Sequence, residues 1–137
     1  MDFTYQMRMT NEHNRFMIYN GISLVHLETD KSVVEAAITP NSQNVYGRPH
    51  GGFYFTMADC AAGTAVRTDG RSYTTVGSSM NFIRAAKGGT LRAVGTIRHR
   101  GKTLTTVATE ITDEEGCLIA EGMFTMFCLG ELPEHLK

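Results

Sequence analysis

The chain has 137 residues, 42% of them hydrophobic and 20% charged, with a formal net charge of −1. That length predicts a single domain over residues 1–137 with a buried core, and the charge balance excludes a broadly basic nucleic-acid binder. No apolar run approaches membrane-spanning length, the N-terminus lacks a signal peptide's basic start and apolar centre, and Cys60, Cys117 and Cys128 are spaced like reduced thiols of a cytoplasmic protein rather than a disulfide frame or zinc site.

Thr10 or Asn11 can cap a short helix running through Phe16, Met17 and Tyr19 and stopped by Asn20-Gly21. Two runs with period-two apolar residues follow, Ile22 to Leu27 and Val33 to Ile38, around the turn Thr29-Asp30-Lys31; they predict a β-hairpin. Pro40 to Pro49 reads as loop. From His50 to about Arg67 the period becomes helical and both faces are nearly uncharged apart from Asp59, so this helix must be buried. Four strands are then expected, Tyr73 to Ile83, Thr90 to His99, Leu104 to Thr112 and Cys117 to Cys128, linked by glycine-containing turns as an antiparallel meander. Gly130 to Lys137 reads as a loose tail. The pattern predicts an α+β architecture: a curved antiparallel sheet wrapped around one long central helix, with two strands before it and four after.

The segment Asn44-Val45-Tyr46-Gly47-Arg48-Pro49-His50-Gly51-Gly52 carries the chemistry. A polar, glycine-punctuated loop runs straight into the apolar helix, leaving backbone N–H groups at the positive end of the helix dipole. Asp59, seven residues beyond Gly52, is the lone carboxylate on its face, beside Phe55, Ala62 and Val66. A helical aspartate is usually solvated; among these neighbours it is not, and a buried carboxylate is costly unless it is used. Donors for an oxyanion next to a base describe a site that polarises a carbonyl.

At this point the sequence resembles the hotdog-fold acyl-CoA thioesterases of the PaaI-like (phenylacetate-degradation) family. The shared pattern is Asn-x-x-Gly-x-x-His-Gly-Gly with an Asp seven residues later, matched by Asn44, Gly47, His50, Gly51, Gly52 and Asp59. The likeness continues through Met80-Asn81-Phe82-Ile83-Arg84 and Arg98-His99-Arg100-Gly101-Lys102, covering about residues 15–130. It implies that a backbone N–H of Gly51 or Gly52 binds the thioester carbonyl, that Asp59 acts across a dimer interface as general base or nucleophile, and that Asn44 and His50 shape the polar loop. It also implies that Arg84 and the turn His99, Arg100, Gly101, Lys102 and Thr103 contact the nucleotide end of coenzyme A. Some relatives carry Ser or Thr near the attacking water where this chain has Gly77, flanked by Thr75 and Ser78.

The expected function is therefore hydrolysis of an acyl-CoA to free acid and coenzyme A, with no metal and no cofactor beyond the substrate's own coenzyme A. The expected assembly is a homo-oligomer, a dimer of dimers, with no nucleic-acid or membrane partner. Two rival functions on the same fold are an acyl-CoA binding or sensing protein without turnover, which would need no base, and an enoyl-CoA hydratase or dehydratase using His50 and Asp59 as an acid/base pair.

Overall fold

The computed structural model describes residues 1–137, and its centre is the helix α3 (Gly51–Val66). Before it come α1 (Phe3–His13), α2 (Arg15–Tyr19), β1 (Ile22–Glu28) and β2 (Lys31–Ala37); after it come β3 (Arg71–Phe82), β4 (Thr90–Arg100), β5 (Leu104–Thr112) and β6 (Leu118–Glu131). The six strands form one antiparallel sheet in the order β1-β2-β4-β5-β6-β3, wrapped around α3 as the sequence predicts. Small residues let the helix lie close to the sheet: Ala58, Ala61, Ala62 and Ala65 are all fully buried. Buried Ser32 donates to the Ala61 carbonyl from β2 at 2.5 Å, which stitches helix to sheet. Met57, Leu91, Val107, Ile111, Ile119 and Phe124 close the core around it.

Three expectations are corrected. The N-terminal helix is longer and broken in two, because Asn14 leaves helical geometry to cap α2 through its side chain, accepting from the Met17 N–H at 3.3 Å. The meander holds only for β4, β5 and β6. β3 lies at the far edge beside β6, because the seven residues 83–89 cross over rather than making a tight hairpin. The C-terminal segment is not loose: Leu132 is buried, and the Tyr5 hydroxyl and the Gln6 amide of α1 donate to the carbonyls of His135 and Leu136.

The two sheet edges differ. At β1, the Asn11 side chain of α1 accepts from the Leu24 N–H at 2.8 Å and donates to the Leu24 carbonyl at 2.9 Å, so a side chain occupies the position of a further strand. At β3, Thr74 through Ser79 are exposed and nothing covers the outer edge. Beside that edge the sheet leaves one stripe of α3 uncovered, running through Gly52, Phe55, Thr56, Asp59 and Gly63.

Candidate active site

The helix start determines which donors are available. His50 is the N-cap of α3, and its Nδ1 accepts the Gly52 N–H at 2.8 Å. That bond places the neutral ring's proton on Nε2. The His50 carbonyl takes the N–H groups of Phe53 at 2.9 Å and Tyr54 at 3.3 Å. Gly51 alone among these first-turn residues has an N–H with no acceptor in the chain. Of the two glycines expected to hold a carbonyl, only Gly51 is free to do so; Gly52 serves the cap. A Cβ on Gly52 would sit 3.1 Å from His50 Nδ1, so glycine there makes room for the ring.

Asn44 organises the loop. Its Oδ1 accepts from the N–H groups of Tyr46 at 2.9 Å and Arg48 at 3.2 Å, and its backbone N–H donates to the Arg48 carbonyl at 2.7 Å. The Asn44 and His50 side chains are thus both engaged in shaping the strand-to-helix connection.

Gly51 borders a cavity of about 230 Å³ whose other walls include Tyr54, Phe82 and Arg84. The Tyr54 hydroxyl accepts from the Ala86 N–H at 3.0 Å, holding the crossover segment against the helix start. A second cavity, about 260 Å³, shares Arg84 and Ala85 with the first; Lys87 lines it together with the acids Asp113, Glu114 and Glu115. Arg84 and Lys87 make no ion pair.

Asp59 is half-buried on the uncovered stripe of α3. Its Oδ1 accepts from the Thr75 hydroxyl of β3 at 2.8 Å. Thr75 is the residue that sequence reasoning passed over, naming it only as a neighbour of Gly77. The available signal was the strand period: Tyr73 and Thr75 fall on one face, and Tyr73 packs against the core.

The residues expected to contact coenzyme A are divided. Arg84 flanks Gly51, whereas the turn after β4 lies at the other end of α3, where Arg71 donates to the carbonyls of Lys102 at 2.9 Å and Gly101 at 3.1 Å. Arg100 belongs to the scaffold instead. Its guanidinium pairs with Asp30 at 2.7 Å and Asp69 at 2.8 Å and donates to the Val66 carbonyl at 2.9 Å, at the negative end of the α3 dipole. Gly101 is needed for turn geometry, since a Cβ there would lie 2.2 Å from the Leu104 carbonyl oxygen. His99, Lys102 and Thr103 remain exposed.

Residues 46–120, more than half of the chain, match the sequence profile of the thioesterase superfamily. The chain belongs to that superfamily. This thioesterase is 28% identical over 101 residues to the acyl-coenzyme A thioesterase PaaI of Escherichia coli, spanning 73% of the chain and 72% of that protein. It is 32% identical over 102 residues to a putative esterase of Deinococcus radiodurans, spanning 73% and 69%. The solved PaaI protein of the E. coli phenylacetic acid degradation operon superposes with a TM-score of 0.86 at 24% identity over 90% of this chain and 91% of that one. The expected hotdog fold and likeness to PaaI are both borne out. A hypothetical thioesterase of Streptococcus pneumoniae, solved with coenzyme A, matches at TM-score 0.80 and 30% identity over 84% of this chain and 94% of that one. Solved variants of the S. pneumoniae protein replace an aspartate and a threonine 16 positions apart, the separation of Asp59 and Thr75 in this thioesterase. No helix of the chain is long and apolar enough to cross a membrane.

Proposed function

We propose that this thioesterase hydrolyses an acyl-CoA thioester in a site shared by two copies of the chain joined along β3. The observation that carries this reading is the disposition of Gly51 and Asp59. Eight residues of α-helix separate them by about 12 Å along the axis. An attacking group must come within roughly 3.5 Å of the carbonyl carbon, so the two cannot act on one thioester from the same chain.

The sheet edges favour one position for the second copy. The β1 edge is plugged by Asn11 and the β3 edge is open, so β3 is the strand that can pair. A two-fold axis through the middle of β3 sets the Arg71 end of one copy against the Phe82 end of the other. Gly51 and Arg84 lie at the Phe82 end, the Lys102 turn lies at the Arg71 end, and Thr75 with Asp59 lies between. Each composite site then has the Gly51 N–H from one copy and the Asp59–Thr75 pair from the other. Opposed residues Leu104 and Phe127, with Met123 and Leu129, leave an apolar outer sheet face on which a second dimer can pack.

In such a site the Gly51 N–H, at the positive end of the α3 dipole, holds the carbonyl oxygen as negative charge develops. Asp59 of the second copy, oriented by Thr75, either deprotonates an attacking water or attacks directly to give a mixed anhydride. Thiolate is a good leaving group, so this chemistry requires neither a metal nor a strong general acid. Arg84 beside the Gly51 cavity, and His99 and Lys102 from the second copy, offer the positive charge that nucleotide phosphates need. The coenzyme A found with the S. pneumoniae protein supports this choice of substrate class.

Incubation with saturated and unsaturated acyl-CoAs, read by free-thiol release and by enoyl absorbance, tests the proposal. Thiol release that disappears in Asp59→Asn is expected. Loss of enoyl absorbance without thiol would mean hydration, and binding without either would mean a sensor.

A further inference from the structure

Arg67 follows directly on α3, and the interior it enters contains no carboxylate to meet it. Its Nη2 donates to the Thr10 hydroxyl of α1, while its Nε is enclosed and finds no acceptor in the protein. Nη1 makes no hydrogen bond and is not enclosed. No acid pairs with the guanidinium; the nearby Asp69 is taken by Arg71 and Arg100 instead. Burial pulls the Arg67 pKa down from its ordinary value, the signature of a desolvated cation without a compensating charge.

The guanidinium borders a cavity of about 190 Å³, with Gln6, Thr10, His13 and Asn14 among its walls and no acid. Three of the lining side chains can donate: Arg67, His13 and Asn14. Asn14 Oδ1 accepts from the Met17 N–H, which leaves the side-chain amide N–H groups free. His13 stands at the end of α1 and makes no hydrogen bond or ion pair through its ring. A cation unpaired within the protein, an imidazole and a side-chain amide, around a cavity without an acidic wall, describe a receptor for a small oxyanion. The full length of α3, about 24 Å, separates Arg67 from Gly51, so this is not the site of the proposed thioester chemistry.

We propose that the cavity between α1 and the C-terminal end of α3 binds a small oxyanion, carboxylate or phosphate, on Arg67, His13 and Asn14. The site ties the end of α1 to the end of α3 through the ligand, since Arg67 directly follows α3 while His13 ends α1 and Asn14 follows it. Occupancy therefore stabilises the N-terminal helices against the core.

The test uses the intact protein in a chloride-free, non-phosphate buffer, titrated calorimetrically and by thermal unfolding with inorganic phosphate in one arm and acetate in the other. One saturable site per chain is expected for at least one anion; near 100-fold excess over its Kd, Tm should rise by roughly 5–10 °C. The responding arm identifies the source chemistry. Arg67→Met should weaken binding by about tenfold to a hundredfold through loss of charged hydrogen bonds. His13→Ala, an exposed change that leaves the core alone, should weaken it several-fold and blunt the Tm rise. Absence of saturable binding of both anions, or wild-type binding in His13→Ala together with wild-type binding in Arg67→Met, would overturn the proposal. If Arg67→Met fails to fold, unaltered binding in His13→Ala and in Asn14→Gly overturns it alone. Turnover plays no part in the readout, so the result stands apart from the reaction proposed above.

Discussion

Two polar regions flank α3, and their hydrogen bonds are distributed in opposite ways. At the Asn44–Gly52 loop the side chains shape backbone, and the Gly51 N–H is left without an acceptor beside a cavity. Around Arg100, by contrast, the charges satisfy one another: Asp69 takes Arg71 at 2.7 Å, the Tyr73 hydroxyl at 2.7 Å and Arg100, while Asp30 takes the other side of the same guanidinium. The two regions are built from similarly polar residues, and composition does not tell them apart. The difference is saturation. A charge already met by partners holds the fold, whereas a donor left facing a cavity is available to a ligand.

The sharpest break of this comparison is Asp59→Asn. It should lower kcat by about 10²–10⁴-fold with little change in Tm, because shape and the Thr75 contact survive while the base is lost. Steady-state kinetics beside a melting curve would check it, and near wild-type kcat would sink the role given to Asp59. A mixture of Asp59→Asn with Gly51→Val should regain activity on subunit exchange, since a mixed dimer assembles one intact site from the two unmutated halves. A mixture that stays inactive after refolding together would argue against a shared site.

Arg100→Leu tests the saturated side. It leaves Asp30 and Asp69 without their shared guanidinium, and should cost about 3 kcal/mol, or roughly 10 °C in Tm. Folded enzyme should keep its KM for acyl-CoA. Lys102→Ala should do the reverse, raising KM for acyl-CoA a few-fold and leaving Tm unchanged, with acyl-pantetheine insensitive to the change. Should Arg100→Leu raise KM as Lys102→Ala does, the division between scaffold and ligand charges would be wrong.

Thr75→Ala is a smaller effect within the site. Loss of its hydrogen bond to Asp59 should reduce kcat by about tenfold while KM stays near wild type, and Thr75→Ser should restore most of it.

The smallest expected effect is in acid. Burial pushes the Asp69 carboxyl up, but hydrogen bonds from Tyr73 and Arg71, with the charge of Arg100, outweigh it and hold the group below its ordinary value of 3.8. The stability it contributes is complete above that ordinary value and is lost as the pH falls through the lower folded value. Melting curves from pH 6 to pH 3 should accordingly show a shallower acid loss in Asp69→Asn than in wild type, from a lower starting Tm; parallel curves would mean that Asp69 contributes no acid dependence.

Much of this was legible in the chain order of residues. The run from Gly51 to Val66 is helical in period and apolar on nearly every side, which forces a wrapping sheet, and the later strands announce themselves by Thr, Val and Ile between glycine turns. The spacing of Asn44, His50, Gly51, Gly52 and Asp59 by itself marks the candidate site. Arg100 misled because a cationic hairpin end looks the same whether its partners are phosphates or Asp30 and Asp69, which are 70 and 31 positions away. Thr75 was passed over for the matching reason: its partner Asp59 sits 16 residues upstream on another element.

Local sequence thus determined the elements, the loop into α3 and the residue types at its start, because capping, periodicity and turn chemistry act over a few residues. Tertiary structure alone decided that β3 swings to the far edge beside β6, that Asn11 closes the opposite edge, and that Gly52 is consumed by His50 while Gly51 is left free. Those outcomes depend on which hydrogen-bonding groups find partners once distant segments meet. That competition for partners is settled only in the packed chain.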